Sequence, residues 1–363
     1  SAADEPFDDT SLADIVIRTS DNFEFFLMKG VLIIASPFFR DMFSISQPAK
    51  EAISMELERI PISESRDTFD PLMRLCYPVK DPVIANIALL EKVLEAAMKY
   101  QLLVAIDILK TALRNFITDI PLGVYAVACR LELEEEAHMA AAQWKSLAIY
   151  TAGMATITSG AYYRLVEYVR GKNITSFIAA PLTTIFSAPP FEPAFSRNVV
   201  DADVILLSSD NIRFPVHATV LRVAGAGSLL SHTPQHNSSG PAEIQLEIVS
   251  STLNALIELC YPFSSFKPTM LRQARAIFDA ATMYNIPSVA AAAKHLILGF
   301  TNTHPLSVYL IASIKGWQDE ATSAARKTAV CGISGEYVPE MEEASAAAYY
   351  RLLEFHHRTF VAI

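Results

Sequence analysis

Histidines near acidic residues are the first places in this sequence where chemistry could occur. His217 ends a β-rich run whose partner run begins at Asp203, so the two side chains could form an acid–base pair. We favour a hydrogen-bonded structural pair at a helix start, because acid–base catalysis also requires a defined site geometry. His232 and His236 could offer two imidazoles to a metal ion. Pro234 lies between them and no third ligand is near, which favours a solvated loop.

The other candidates for chemistry have simpler structural explanations. His356 and His357 close a predicted helix, where histidine complements the helix dipole. The acidic residues between Glu132 and Glu136 are typical of a solvated helix start. Cys76 and Cys260 precede Tyr-Pro in two predicted buried helices, which indicates core thiols rather than nucleophiles. Because phosphate-binding glycine loops, nucleophile elbows and zinc-protease motifs are missing from the sequence, it predicts no catalytic residue, no metal site and no cofactor.

Composition narrows the class of protein further. Hydrophobic residues make up 52% of the 363 and charged residues 19%, which predicts folded domains with sizeable cores. The formal net charge of −10 argues against nucleic-acid binding, since a basic face is the usual footprint. Four dispersed cysteines and apolar runs too short for a bilayer predict a cytoplasmic or nuclear protein with free thiols and no membrane segment. The acidic start is not typical of a signal peptide.

The chain repeats itself, and this repeat organises the predicted fold. The octamer at residues 161–168 returns at 348–355 with six of eight positions identical. Leu-Cys-Tyr-Pro at 75–78 also returns at 259–262. Two matches in the same order predict one module written twice.

Each copy opens with a predicted hairpin followed by helices. The β-rich runs of the two hairpins are residues 14–18, 24–28, 203–207 and 213–217. In the first copy, Ser36 before Pro37 predicts a helix start. The second copy carries Gly225 and Gly227 in this region, which predict a weaker helix and an irregular stretch over 224–242. A short strand containing Pro61 is expected at a sheet edge, because proline cannot donate a ladder hydrogen bond.

Two segments lie outside the copies. Residues 1–13 are predicted to form a short, unstructured polar arm. Residues 171–198 contain four prolines and are typical of a semi-rigid linker. Phenylalanines in that linker, Phe177 among them, predict that it packs on a neighbouring element.

These motifs together resemble the BTB/POZ domain, in a version similar to that of fungal BTB proteins. The resemblance rests on Asp-Val-Ile, the hairpin, Phe-x-Val-His, Ala-Ser-Pro-Phe-Phe-Arg-Asp-Met-Phe and Leu-Cys-Tyr-Pro, with Tyr-Tyr-Arg-Leu closing each tail. The first copy has Met28 where the family has histidine. The second keeps His217 but has Ala218 in place of the family's lysine and lacks the Ser-x-x-Phe helix. The family residues kept at matching positions are Asp14, Lys29, Ser36, Phe39, Met42 and Phe43 in the first copy and Asp203 and His217 in the second.

The resemblance implies an α+β fold made of two BTB/POZ-like units. Each unit would be a helical cluster capped by a small sheet and followed by an all-helical extension. The predicted segments are a first BTB-like domain at 10–117, a helical extension at 118–170, a Pro-rich linker at 171–198, a second, degenerate BTB-like domain at 199–301 and a helical extension at 302–360.

The resemblance also implies protein–protein interaction. Family members self-associate, serve cullin-type ubiquitin ligases as adaptors, or assemble transcription regulators. We therefore predict a non-catalytic scaffold or adaptor, the alternative being a small-molecule-binding protein or enzyme with a pocket between the copies. Family adaptors favour an apolar-x-Glu motif after the Met-Phe helix. Residues 44–48 contain no glutamate, so the sequence does not predict cullin binding.

The predicted partner surface lies on the Met-Phe helix of the first copy. The candidate partner-binding residues are Phe38, Phe39, Met42 and Phe43. The alternative is that at least two of them belong to the core. Asp14, Asp203 and His217 are predicted to be structural. Because the linker keeps the copies at high effective concentration, we expect a monomer in which they pair as an intramolecular pseudo-dimer. The family's swapped homodimer uses an additional N-terminal helix and strand, which residues 1–13 do not resemble.

Overall fold

Two compact units divide the chain. One contains residues 1–180 and 345–347, and the other contains residues 181–344 and 348–363. The computed structural model describes residues 3–45, 57–144, 155–178, 201–231, 241–262, 266–331 and 336–361. Several sequence predictions lie partly or wholly outside the described residues. They concern residues 46–48, the linker from residue 179, and residues 232–240 of the predicted irregular stretch over 224–242, which include His232 and His236.

A three-stranded sheet opens the first unit. Strand β1 (Ile15–Arg18) pairs antiparallel with β2 (Glu24–Leu27) and parallel with β3 (Glu58–Pro61), so the order is β2-β1-β3. Asn22 has a φ of 63° in the hairpin turn, a conformation that asparagine tolerates better than most residues. The strand with Pro61 lies at an edge of this sheet, as the sequence predicts.

Helices α1 to α5 complete the domain part of the first unit. They are α1 (Lys29–Ala35), α2 (Pro37–Ser44), α3 (Arg66–Arg74), α4 (Ile87–Lys99) and α5 (Leu103–Asn115). The predicted start of α2 is confirmed, because the Ser36 hydroxyl accepts the Phe39 N–H at 3.1 Å and Pro37 is the first helical residue. Phe25 of β2 and Phe69 of α3 are fully buried and meet edge to face at 5.0 Å between ring centroids. Sheet and helices therefore share one core.

The N-terminal residues are ordered against this core, which corrects the predicted unstructured arm. Ala3 donates to the Glu24 carbonyl and Phe26 donates to the Phe7 carbonyl, both at 2.9 Å. The Phe7 ring is buried, with its centroid 5.3 Å from that of Tyr77. A single aromatic residue in an otherwise acidic segment therefore anchors the segment along β2, an effect that net polarity does not predict.

A helical tail follows the domain part of the first unit. It consists of α6 (Pro121–Arg130), α7 (Glu134–Gln143) and α8 (Ser159–Val169). The Tyr125 hydroxyl of α6 donates to the Ala161 carbonyl of α8 at 2.8 Å, which ties the two helices together. Beyond α8, Phe177 is fully buried, so this phenylalanine of the predicted linker packs on its own unit.

The second unit opens with its own three-stranded sheet. Strand β4 (Val204–Leu207) pairs antiparallel with β5 (Arg213–Val216) and parallel with β6 (Ala242–Gln245), in the order β5-β4-β6. The helices that follow in this unit are α9 (Ala218–Val223), α10 (Ser250–Cys260), α11 (Leu271–Met283), α12 (Pro287–Leu298), α13 (Pro305–Lys315), α14 (Gln318–Cys331) and α15 (Ala346–Val361).

The weak helix predicted after α9 is confirmed. Residues 227–231 form only a short 3₁₀ turn. Gly225 before it has a φ of +78°, a left-handed conformation that favours glycine and interrupts a right-handed helix. The Ala226 N–H then donates back to the Leu221 carbonyl at 2.7 Å, which closes the end of α9.

No helix in the described ranges combines the length and the apolar character needed to cross a membrane.

Candidate functional site

Helix α2 carries the predicted partner-binding residues, and the structure divides them. Phe39 is only 1% exposed, and its ring stacks on Tyr100 at 5.3 Å with an interplanar angle of 16°. It therefore belongs to the core and not to a partner surface, which corrects that part of the prediction. Phe38 is 36% exposed and lies edge-on to Tyr100 at 5.5 Å. Met42 and Phe43 are half-buried.

Polar groups cover part of the α2 face. The Lys29 ammonium lies 5.4 Å from the centre of the Phe43 ring and pairs with Glu58 at 2.9 Å. A cation above an aromatic face is favourable, but it also reduces the apolar area that a partner can reach. Of the predicted residues, Phe38, Met42 and Phe43 thus remain as a partly shielded surface.

Tyr100 explains why Phe39 turns inward. The buried Ser36 hydroxyl donates to the Tyr100 carbonyl at 2.6 Å, and the Tyr100 hydroxyl donates to Glu64. Burial, and then the bond to Glu64, raise the pKa of Tyr100. Burial opposes ionisation of Glu64, but hydrogen bonds from Lys99 and Tyr100 outweigh it and lower the pKa of that carboxyl. The network fixes a ring on which the Phe39 side chain stacks.

An apolar groove lies beside α2, and the sequence analysis did not predict it. Its volume is about 480 Å³. Helices α1 and α2, the end of α3 and the start of α5 supply the lining residues, which are Val31, Ile34, Ala35, Pro37, Arg40, Leu75, Cys76, Leu102, Leu103, Val104 and Ala105. Ile34 is 82% exposed, Val104 70% and Leu103 63%. Adjacent exposed aliphatic side chains of this kind are typical of a surface that binds another molecule.

Helix geometry explains why these side chains are exposed. Successive residues of a helix point about 100° apart, so an uninterrupted apolar run cannot all face the core. Residues 102–106, at the start of α5, form such a run, in which Leu102 and Ala105 are buried while Leu103 and Val104 face outward. The run Val31 to Ile34 of α1 behaves in the same way, since Leu32 is buried and Ile34 is exposed. In the sequence, the signal for these exposed side chains is thus an apolar run too long for one helix face.

A comparison with protein families identifies the domain that contains this groove. Residues 3–117 match the model of the BTB/POZ domain. The first unit therefore contains a BTB/POZ domain. The match covers less than half of the chain and begins at residue 3, where the sequence prediction placed the domain start at residue 10. No curated protein matches the chain. BTB/POZ domains generally mediate protein–protein interaction.

The predicted structural residues sit at helix starts. In the BTB/POZ domain, the Asp14 carboxylate accepts the N–H of Lys29, the first residue of α1, at 2.6 Å. In the second unit, Asp203 accepts the N–H of Ala218, the first residue of α9, at 2.7 Å. A carboxylate is favourable there because it satisfies a free helical donor and faces the positive end of the helix dipole.

His217 lies against a tyrosine at the start of α9. Its backbone N–H donates to the Tyr261 hydroxyl at 2.9 Å, and its Nδ1 lies 3.1 Å from the same oxygen. In the BTB/POZ domain Met28 makes the same backbone bond to Tyr77 at 2.9 Å, without an imidazole. Because the helix start forms with methionine as well, we interpret His217 as structural.

The acidic cluster at the start of α7 is less solvated than predicted. Glu136 is fully buried and pairs with Arg114 at 2.7 Å and with Lys110 at 3.4 Å. Glu134 accepts three hydrogen bonds from residues 176–178. The prediction of a solvated helix start is therefore wrong for these two carboxylates, whose partners lie on α5 and beyond α8.

Three of the four thiols are unsuited to nucleophilic chemistry. Burial raises the pKa of both Cys76 and Cys260 to about 12, so that they stay protonated at neutral pH. Burial likewise raises the pKa of Cys129 to about 11. Within the described ranges, no group of three or more His, Cys, Asp or Glu side chains is placed to hold a metal ion.

Proposed function

We propose that the chain is a non-catalytic protein–protein interaction scaffold or adaptor built from two BTB-like repeats, with the second repeat degenerate. The observation that carries this proposal is the apolar groove on the BTB/POZ domain, where Ile34, Leu103 and Val104 are each more than half exposed. Water contact with these side chains is unfavourable by about 25 cal/mol per Å² of apolar surface. Covering the groove with apolar side chains of a partner protein recovers that free energy.

Matched strands support the second repeat. In each unit the first strand pairs antiparallel with the second and parallel with the third. The register also corresponds: Ile15 pairs with Leu27 and Glu58 in the first unit, and Val204 pairs with Val216 and Ala242 in the second.

Matched hydrogen bonds support it as well. Ser36 donates to the Tyr100 carbonyl, and Ser228 donates to the Tyr284 carbonyl. A mere similarity of composition does not explain such pairs, because each requires corresponding side chains at corresponding places in two folds. The segments proposed on this basis are those of the sequence analysis, with the first domain extended to 3–117. They are the helical extension at 118–170, the linker at 171–198, the second BTB-like domain at 199–301 and its helical extension at 302–360.

The partner surface is assigned to the first repeat because the second has lost its apolar character. Where the first repeat has Leu103 and Val104, the second has Pro287 and Ser288. The Ser288 hydroxyl is satisfied within its own unit, since it donates to the Ala224 carbonyl at 2.5 Å. The partner surface we propose therefore consists of the apolar groove with Phe38, Met42 and Phe43 beside it. Cullin binding is not part of the proposal.

The alternative, a small-molecule-binding protein or enzyme, is not favoured. The family match is to a domain that generally acts in protein–protein interaction. A fold does not determine function, but here the exposed aliphatic residues form an open groove rather than a set of convergent polar groups.

The assembly state is proposed from the sequence. We propose a monomer whose two repeats pair within one chain, because a linker of under thirty residues keeps them at high effective concentration. Light scattering should then report a mass near 39.9 kDa.

The groove is tested with a double substitution. The variant carries Leu103→Ser and Val104→Ser, which follow the polar character of the second repeat. It should be compared with Val83→Ser, which changes a still more exposed aliphatic residue outside the groove. Full-length wild type and both variants are used to recover partners from the native host, with identification by mass spectrometry. We expect one set of proteins to be recovered by wild type and Val83→Ser and to be lost with the double variant.

Binding constants for a recovered partner complete the test. The two side chains together should contribute about 2 to 4 kcal/mol when covered, which is on the order of a hundredfold in Kd. If the double variant recovers the same proteins as wild type, with the same Kd and the same thermal stability, the interaction belongs to another surface.

A further inference from the structure

The tail of the first unit holds a short piece of its own chain in a cleft. After α8 the chain turns back, and the Phe177 ring enters a site formed by all three tail helices. Its centroid lies 5.7 Å from Tyr125 of α6, 5.8 Å from His138 of α7 and 5.3 Å from Tyr168 of α8. The side chain is fully buried there. The tail thus provides a site for one aromatic side chain, which we name the first tail cleft.

Two charged side chains hold the backbone of this inserted segment. Glu134 accepts the Phe177 N–H at 2.7 Å, the Ile178 N–H at 3.3 Å and the Ser176 hydroxyl at 2.7 Å. Arg164, itself almost fully buried, donates from Nε to the Phe177 carbonyl at 2.7 Å. Main-chain bonds combined with one side-chain site are how proteins commonly bind extended peptides. The first tail cleft therefore binds Ser176–Ile178 in the manner of a peptide ligand.

The tail of the second unit has the same construction. The Tyr309 hydroxyl of α13 donates to the Ala348 carbonyl of α15 at 2.7 Å, and in the first unit Tyr125 donates to Ala161 at 2.8 Å. The repeated octamer places Arg351 where the first unit has Arg164 and Phe355 where it has Tyr168. The alignment of the tails likewise places Gln318 at the position of Glu134 and Thr322 at that of His138.

An open cleft lies at this place in the second unit. It has a volume of about 600 Å³ and is formed by α13, α14 and α15; we name it the second tail cleft. The lining residues are Tyr309, Ala312, Ser313, Gly316, Trp317, Gln318, Ala321, Thr322, Ala325, Arg351, Leu352 and Phe355. They include the counterparts of the five residues named above that contact the inserted segment in the first unit.

The polar binding groups of the second tail cleft are exposed. Arg351 and Gln318 are both exposed, and within the described ranges neither side chain has a hydrogen-bond or ion-pair partner. Trp317 and Phe355 add aromatic surface, and Phe355 is 38% exposed. The charge that Arg164 directs at a carbonyl in the first unit is therefore available to another molecule in the second.

We propose that the second tail cleft binds an extended peptide segment of a partner protein. An aromatic side chain of that segment enters between Tyr309 and Phe355, and its main-chain carbonyl accepts a hydrogen bond from Arg351. Ser176–Ile178 in the first tail cleft shows the chemistry of the occupant. The proposal rests on the sequence repeat of the tails and on the three-helix geometry. It does not depend on the groove of the BTB/POZ domain, whose test uses other residues.

A labelled peptide with the sequence of residues 173–178 is the probe, titrated into full-length protein by fluorescence anisotropy. We expect saturable binding, and its loss when the phenylalanine of the peptide is replaced by alanine. Arg351→Ala should weaken binding at least tenfold, because it removes a charged donor to the peptide carbonyl. Arg358→Ala is the matched control, since it removes an exposed arginine of the same helix that pairs with Glu354 outside the cleft. It should leave the Kd within twofold.

Gln318→Glu provides a test in the direction of tighter binding. This variant restores the carboxylate that Glu134 supplies in the first unit. Hydrogen bonds to a carboxylate are about twice as strong as those to a neutral acceptor, so the Kd should fall roughly tenfold. A loss of folding cannot imitate a gain in affinity.

Three results would overturn the proposal. They are the absence of saturable binding up to about 1 mM peptide, binding that Arg351→Ala leaves unchanged, and weaker binding in Gln318→Glu. A fourth result would also overturn it: a protein dimer that forms without peptide and is lost in Arg351→Ala would assign the cleft to a second copy of the chain instead of a partner.

Discussion

Phe177→Ala tests how firmly the first unit holds its inserted segment. Truncating a fully buried phenylalanine removes its apolar contacts and leaves a cavity, at a cost of about 3 to 5 kcal/mol in protein cores. Three ring contacts within 6 Å place Phe177 toward the upper part of that range. The segment can also detach while the three helices remain folded, which limits the loss of global stability. We therefore expect about 3 kcal/mol of destabilisation, together with detachment of residues 174–178.

Urea unfolding followed by tryptophan fluorescence measures the first effect. The chain has two tryptophans, Trp144 in the first unit and Trp317 in the second, so a Trp317→Phe background reports on the first unit alone. With a slope of about 2 kcal/mol per M of urea, 3 kcal/mol corresponds to a midpoint lower by about 1.5 M. Phe355→Ala in the second unit is the control and should leave the Trp144 transition in place.

Trypsin digestion measures the second effect. Arg170 and Lys172 precede the inserted segment and both pair with Glu167. Detachment of the segment should increase cleavage after these two residues under native conditions. An unchanged cleavage rate together with a midpoint shift below about 0.3 M would show that Phe177 does not anchor the segment, and the reasoning about both tail clefts would be wrong.

Three further predictions concern stability, pH and thiol reactivity. Ser36→Ala should destabilise the first unit by about 1 to 3 kcal/mol in the Trp144 assay, because it removes the cap of α2 and a buried hydrogen bond to Tyr100. Ser44→Ala, which changes an exposed serine of the same helix, is the control and should have little effect. The pKa of Glu64 is lowered from 4.5 in the folded protein, so its stabilising contribution is present above that pH and is lost as the pH falls through the folded value. The stability difference between wild type and Glu64→Gln should accordingly shrink between pH 6 and pH 3, and a constant difference would contradict the pKa direction. Iodoacetamide at pH 8 should label exposed Cys331 first, as measured by mass spectrometry. Equally fast labelling of the thiols whose pKa is raised, Cys76, Cys129 and Cys260, would contradict this prediction.

Local signals in the sequence predicted much of the fold. Ser36 before Pro37 marks the start of α2, Pro61 marks an edge strand, and Gly225 marks the place where a helix fails, because each acts through its own backbone geometry or hydrogen bonds. The hairpin strands β1, β2, β4 and β5 also lie within the predicted β-rich runs. Such features need no knowledge of distant contacts.

Contacts between distant residues account for what the sequence analysis missed. Phe39 turns inward because Tyr100, which follows α4, offers a flat ring fixed by Glu64. Phe7 orders an acidic segment because Tyr77 and Phe25 lie beside it in space. Each outcome depends on a partner more than fifteen residues away, which helical or strand periodicity does not report. The candidate groove has a local signal of its own, the aliphatic run at residues 102–106, but the run does not show which of its side chains face outward.

The differences between the two units favour a division of binding between them. The first unit has exposed aliphatic residues at Leu103 and Val104, while its tail cleft is filled by Phe177. The second unit has Pro287 and Ser288 at the corresponding positions, while its tail cleft leaves Arg351 exposed. On our proposals, each unit offers the binding surface that the other lacks. Two different surfaces on one chain are what an adaptor between unlike partners requires, whereas a symmetric pair of identical sites would favour self-association. On this proposal, Leu103→Ser with Val104→Ser should remove one partner and Arg351→Ala the other, each without affecting the remaining interaction.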